Sequence, residues 1–127
     1  MSENNNENEA LLLVDDNPTN LQVLRQALQG IDCKMLFAKN GERALSIAAE
    51  GHPDLILLDI MMPGIDGFEV CRRLKSDAAT EDIPVIFLSA LVDTQDKVKG
   101  LQLGAVDYVS KPFQPEEVKA RVDTHLT

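Results

Sequence analysis

Short apolar runs alternate with longer stretches in which apolar residues recur every three or four positions. The runs are Leu11–Val14, Cys33–Ala38, Leu55–Leu58, Ile83–Leu88 and Val106–Val109. Their length and near-continuous hydrophobicity suit parallel strands buried on both faces. Five helical patterns follow them. Leu21, Leu24, Ala27 and Leu28 come after Pro18-Thr19, and Ala44, Leu45, Ile47 and Ala48 after Asn40-Gly41. Phe68, Val70, Cys71 and Leu74 form the third pattern, Val98, Leu101 and Leu103 the fourth, and Val118, Val122 and Leu126 the fifth. Prolines open the first and last helices, and Gly30, Gly51 and Gly104 close three of them. The pattern is five β–α units in succession. Helical crossovers force parallel pairing with right-handed connections, and helices must cover both faces. The predicted class is α/β: a three-layer, doubly wound sandwich around a five-stranded parallel sheet of order 2-1-3-4-5. Its switch point lies between the first and third strands.

Composition narrows the function. A chain of 127 residues suits one domain. A net charge of -9 argues against direct nucleic-acid contact by this segment. No apolar stretch approaches the ~20 residues of a membrane span. Residues 1–9 are rich in Asn and Glu, with no basic segment, and read as a disordered tail rather than a signal peptide. The folded unit is expected at 10–126, in the cytoplasm. Cys33 and Cys71 form no CxxC and read as free thiols of a reducing compartment. His52 and His125 lack partners at metal-binding spacing and read as surface residues. The last helical pattern, Val118–Leu126, ends without a stop signal, which favours a continuation.

Candidate chemistry sits at the strand ends. Asp15-Asp16 follow the first run, Asp59 the third, Ser89-Ala90 the fourth and Lys111-Pro112 the fifth. In an open parallel sheet these groups emerge along the edge where ligands bind. Taken singly, each is an ordinary turn, cap or surface residue; their joint occurrence at four strand ends points elsewhere. Two carboxylates 4 Å apart repel by roughly 4 kcal/mol at an effective dielectric of 20. Three would protonate unless a cation neutralised them. Mg²⁺ fits, because it takes oxygen ligands and is commonly shared with phosphate. With Lys111 added the formal charge sums to zero, and the pocket can accept a phosphoryl group. Asp59, alone at the end of the most apolar run, is the candidate nucleophile. Asp15 and Asp16 would hold the ion. Ser89 could donate to a phosphoryl oxygen, with small Ala90 leaving space beside it.

Four segments closely resemble the receiver domain of two-component response regulators. They are Leu13–Asn17, Asp54–Gly64, Pro84–Ala90 and Gly104–Phe113, in family order and spacing. The resemblance covers about residues 10 to 126. It implies the flavodoxin-like, chemotaxis-regulator-like sheet order, and an Asp59 that takes a phosphoryl group from a histidine kinase or a histidine phosphotransfer domain. It implies Mg²⁺ held by the Asp16 and Asp59 side chains and the Met61 backbone carbonyl, with Asp15 acting through water. It implies a cis Lys111–Pro112 peptide and contacts from Ser89 and Lys111 to the phosphoryl group. It also implies a switch in which Ser89 moves toward that group and Tyr108 turns inward. The surface of helix 4, strand 5 and helix 5 would then change. Asp107 and Arg121 match charged positions that relatives use for a homodimer on that surface. Pro18, Leu21, Leu24 and Pro112 could form an apolar kinase-docking patch. Met61 and Leu91, both apolar, stand where the family tunes the lifetime of the phosphoryl group, and imply slow self-catalysed loss.

Three other readings share parts of this pattern. A flavodoxin-type electron carrier would not place Asp15-Asp16 in its phosphate loop, because an anionic loop repels an anionic cofactor. A haloacid-dehalogenase-like phosphatase needs a second acid two residues after the nucleophile, where Met61 stands. A flavodoxin-like fold used as a non-phosphorylated binding module would have no need of the intact acidic set. The expected role is therefore a signalling switch that catalyses only its own phosphorylation and dephosphorylation, not an enzyme with external turnover.

Overall fold

The computed structural model describes residues 9–90 and 94–126. Five strands, β1 (Ala10–Val14), β2 (Lys34–Ala38), β3 (Leu55–Asp59), β4 (Val85–Ser89) and β5 (Asp107–Ser110), alternate with five helices. The helices are α1 (Pro18–Ala27), α2 (Gly41–Gly51), α3 (Gly67–Lys75), α4 (Thr94–Gln102) and α5 (Pro115–Leu126). All strand pairs are parallel, in the order β2-β1-β3-β4-β5, as the sequence predicts. Of the tail expected at 1–9, residues 1–8 lie outside the described residues. The Glu9 carbonyl already accepts from the Lys34 N–H at 2.8 Å, so the ladder begins one residue earlier than predicted. The other strand limits move by one or two positions. β4 starts at Val85 rather than Ile83 and extends to Ser89, and β5 runs 107–110 rather than 106–109.

Each face of the sheet has its own core. Leu12, Val14, Ile56, Leu58, Val85 and Phe87 pack with Ala44 and Ala48 of α2 and Phe68, Val70, Cys71 and Leu74 of α3. Leu11, Leu13, Leu55, Leu57, Ile86 and Leu88 pack with Leu21, Leu24 and Leu28 near α1 and Val118 and Val122 of α5. The alternation follows from the pleat, which sends successive side chains to opposite faces. β3 and β4 are buried at all five positions, which explains their unbroken hydrophobicity. Side-chain caps fix three helix starts: Asn17, Asn40 and Asp66 accept backbone N–H groups from Thr19, Arg43 and Glu69.

The apolar patch expected on α1 is only partly present: Leu24 is fully buried, while Leu21, nearly buried, lines a surface groove with Pro18. Val98 and Leu101 lie on α4, as their spacing predicts, and are 45% and 54% exposed. α4 instead approaches the sheet through Gly100, where an added Cβ would lie 2.7 Å from the Phe87 ring. Of the thiols, Cys71 is buried and Cys33 half-buried, and burial raises both above the ordinary thiol pKa.

Candidate phosphoryl and cation site

β1 and β3 are hydrogen-bonded neighbours, so their C-terminal ends emerge together. Asp15 leaves β1 with its N–H bonded to the Ala38 carbonyl at 3.1 Å. Its Oδ1 accepts the Asn17 N–H at 2.9 Å, and Asn17 in turn caps α1. The carboxylate of Asp15 is thus fixed by the same turn that starts the helix. Asp59 ends β3, and its N-terminal neighbours are held between β1 and β4. After it the chain turns tightly: the Gly67 N–H donates to the Ile60 carbonyl at 2.9 Å. A Cβ at Gly67 would collide with the Asp59 carbonyl oxygen and sit 2.7 Å from Ile60 Cα. Only glycine lets α3 start this close to the acid-bearing strand. No sequence argument singled Gly67 out, although its place directly after the Asp66 cap was a signal.

One carboxylate oxygen from each of Asp15, Asp16 and Asp59 lies within 4.8 Å of the others. Asp15 and Asp59 are buried and Asp16 is exposed, so the cluster is reached from the Asp16 side. Lys111 reaches across from the end of β5, with Nζ 3.0 Å from Asp59 Oδ1 and 3.3 Å from Asp15 Oδ2. Apart from that contact with Lys111, the buried Asp15 Oδ2 has no hydrogen-bond partner among the described residues. The Lys111 N–H bonds to the Ser89 carbonyl at 2.8 Å, and the Lys111–Pro112 peptide is cis. Burial pushes the Asp59 carboxyl up to about 6. The hydrogen bond from Lys111 opposes that rise, the charge of Asp15 adds to it, and the Met61 N–H opposes it again. Burial works against the charge of Lys111, but Asp59 and Asp15 outweigh it and raise its pKa. A buried anion pair leaning on one cation, with an acceptor oxygen left over, has the donor set for a hard divalent cation.

The other predicted residues fall around this core. Ser89 is buried at the end of β4, next to the pocket. Ala90 follows it and is exposed. Met61 points outward at 62% exposure while its N–H bonds to Asp59. Leu91 lies outside the described residues. Tyr108 is half-buried on the edge strand β5, with Lys97 Nζ 5.6 Å from its ring centroid.

On the far side of β5, Asp107 and Arg121 are brought together within the chain. Arg121 Nη1 donates to Asp107 Oδ1 at 2.6 Å. His125 Nε2 lies 3.0 Å from Asp107 Oδ2, so His125 is a half-buried partner of an acid and not a bare surface residue. Burial raises the pKa of Asp107, but Arg121, His125 and the Tyr108 N–H outweigh it, and the net shift is downward. The spacing Glu117-Arg121-His125, four residues at each step on one helix face, was the available signal. His52 is exposed as predicted, although its Nε2 lies 3.2 Å from Asp82.

The chain is similar to known proteins over nearly its whole length. Residues 11–123 match the model of the response regulator receiver domain. A protein named "Probable transcriptional regulator ycf27" from Porphyridium aerugineum is 42% identical over 93% of this chain and 48% of its own. The DNA-binding response regulator MtrA of Mycolicibacterium smegmatis is 43% identical over 91% of this chain and 50% of its own. The chain therefore spans about half the length of the curated relatives it matches. Among solved structures, the BeF₃-activated DrrB receiver domain superposes with a TM-score of 0.83 at 34% identity. That match covers 93% of this chain and 97% of the other.

Proposed function

Because this chain belongs to the response regulator receiver domain family of two-component systems, we propose that residues 10–126 accept a phosphoryl group on Asp59 from a histidine kinase or phosphotransfer protein. The observation that carries the reading is the junction of two buried carboxylates, Asp59 and Asp15, both within 3.3 Å of the Lys111 ammonium, beside exposed Asp16. An Asp59 carboxylate oxygen attacks the phosphorus of a phosphohistidine. The new O–P bond forms as the P–N bond breaks, and the imidazole leaves with the electron pair. Lys111 already contacts Asp59, and its ammonium remains to balance the charge that arrives on the phosphoryl oxygens. A Mg²⁺ bound by Asp15, Asp16, Asp59 and the Met61 carbonyl would neutralise the acids and the phosphoryl oxygens. The reading of a non-phosphorylated binding module finds no support in this intact set.

The added charge of about -2 is a strong new acceptor. Ser89, buried at the adjacent strand end, would donate to it, and Tyr108 would move inward from its half-buried position. The exposed α4–β5 surface would change with it, and a homodimer on that surface is one consequence. There Asp107 and Arg121 would have to exchange their internal pairing for an external one. The chain would catalyse only its own phosphorylation and dephosphorylation. Slow loss of the phosphoryl group follows from an apolar, exposed Met61 that cannot orient water. Among the described residues no helix is long and apolar enough to cross a membrane. The test is incubation with phosphoramidate and Mg²⁺ followed by intact mass. The wild type gains one phosphoryl group and Asp59→Asn gains none; equal labelling of both overturns the assignment.

A further inference from the structure

The two buried acids of the cluster are held by different means. Asp59 ends β3, which is paired on both sides. Asp15 stands just past β1, in the loop that leads into α1. Its side chain is fully buried, and its two oxygens have separate partners. Oδ1 accepts the Asn17 N–H at 2.9 Å. Oδ2 has one contact among the described residues, Lys111 Nζ at 3.3 Å. The carboxylate cannot turn without breaking the bond at Oδ1. The direction of the Asn17 N–H therefore decides where Oδ2 points.

Asn17 is in turn held from the helix side. Its backbone is extended, with φ -98° and ψ 113°. Pro18 follows it, and the residue before a proline is confined to the broad extended region. Within that region two bonds to the first turn of α1 select one conformation. Asn17 Oδ1 accepts the Thr19 N–H at 2.8 Å, and the Asn17 carbonyl accepts the Leu21 N–H at 3.2 Å. The N–H that aims Asp15 thus keeps its direction through the cap on α1. Asparagine caps a helix as well as aspartate does, and it adds no fourth carboxylate to the cluster of Asp15, Asp16 and Asp59.

We infer that Asn17 is a positioning residue for the cation: by capping α1 it fixes the Asp15 carboxylate, and so sets how tightly the acidic cluster holds a divalent ion. The inference rests on the cation reading proposed above and adds to it a residue that supplies no ligand. Groups that orient a metal ligand from behind change affinity by about ten- to a hundredfold when removed. The lower end applies here, because substitution leaves the backbone N–H in place and Pro18 still restricts it.

The test titrates Mg²⁺ into the ¹⁵N-labelled chain with no phosphodonor present and follows the amides of Asp16 and Ile60. Asn17→Ala removes the cap, and Asn17→Ser keeps a capping oxygen. Asn40→Ala is the control, because Asn40 caps α2 through the Arg43 N–H in the same way and belongs to no part of the cluster. Asn17→Ala is expected to bind Mg²⁺ about tenfold more weakly than the wild type, and Asn17→Ser to stay within about twofold of it. Asn40→Ala is expected to bind like the wild type, although urea unfolds it as readily as Asn17→Ala. Phosphoramidate kinetics should divide in the same way. Asn17→Ala needs about tenfold more Mg²⁺ for its half-maximal rate and reaches the wild-type maximum once saturated. An unchanged amide spectrum away from α1 shows that the Asn17 variants fold. Unchanged affinity in Asn17→Ala, an equal loss in Asn40→Ala, or no recovery in Asn17→Ser would each overturn the inference and leave the cation reading standing. A wild type that shows no saturable Mg²⁺ binding would overturn both.

Discussion

At the centre of the sheet, Leu55–Asp59 and Val85–Ser89 are buried at every position. At the β5 edge only Val109 of four residues is buried, and the neighbouring α4 leaves Val98 and Leu101 in solvent. The centre holds its acids rigidly: Asp15 by the Asn17 turn and Asp59 by the Gly67 junction. At the edge Tyr108 is only half-covered, with Lys97 Nζ 5.6 Å from its ring centroid. Chemistry at a fixed geometry needs the first arrangement. The proposed switch would draw on the second, because elements that switch are drawn from the less stable parts of a structure.

The largest expected contrast comes from truncation in the two regions. Phe87→Ala should cost about 3–5 kcal/mol, the range for deleting a buried aromatic side chain. The ring is fully buried and stands edge-on to Phe68 at 5.3 Å between centroids. Urea unfolding measures it; a cost below 1 kcal/mol would mean that the β4 centre is no firmer than the edge. Gly67→Ala comes next, at about 2–3 kcal/mol from forcing a Cβ into the β3 backbone. If this variant kept its stability and took up phosphate at the wild-type rate, the α3 start would not be what holds Asp59.

The pH dependence of Asp59→Asn is a subtler test of the same centre. The folded carboxyl is raised to about 6, above an ordinary aspartate value near 3.9. Its contribution to wild-type stability is therefore fully present below about pH 3.9 and lost as pH rises through about 6. Asparagine cannot ionise. In metal-free buffer the variant should gain on the wild type across that window and be more stable by on the order of 2 kcal/mol at pH 8. A constant difference from pH 4 to pH 8 would show that the acid is not under strain. Mg²⁺ should narrow the gap by stabilising the wild type, and chelation should restore it.

At the edge the effects shrink. Asp107 has a lowered pKa, so its contribution is present above about pH 3.9 and lost as the pH falls through the lowered value. Asp107→Asn should cost less than about 1 kcal/mol at pH 7, since Arg121 is partly solvated. Leu101→Ala should lie within about 0.5 kcal/mol of the wild type. Any change it makes should appear in self-association of the phosphorylated form, read by sedimentation.

How far the sequence could be read follows the same division. The acids were legible because each directly follows an apolar run, and a run buried on both faces leaves little doubt that it is a strand. Val98 and Leu101 marked α4 by their spacing, but helical spacing says nothing about which side of a helix meets the sheet, and both lie in solvent. The same limit applies to α1: Leu24 belongs wholly to the core, whereas Leu21 reaches a surface groove beside Pro18. His125 went unplaced because its partner, Asp107, is 18 residues away on a different element.

Local order along the chain determined the βα alternation, the parallel sheet, and the identity of Asp15, Asp16, Asp59, Ser89 and Lys111 as strand-end groups. Those are consequences of periodicity and of turn residues, which act over a few positions. Only the tertiary structure decided that Lys111 leans on two buried carboxylates, that Gly67 must lack a side chain, and that Arg121 and His125 share Asp107. Each of these is a distance between elements far apart in sequence, set by how helices of finite width cover a twisted sheet, and no pattern within one element contains it.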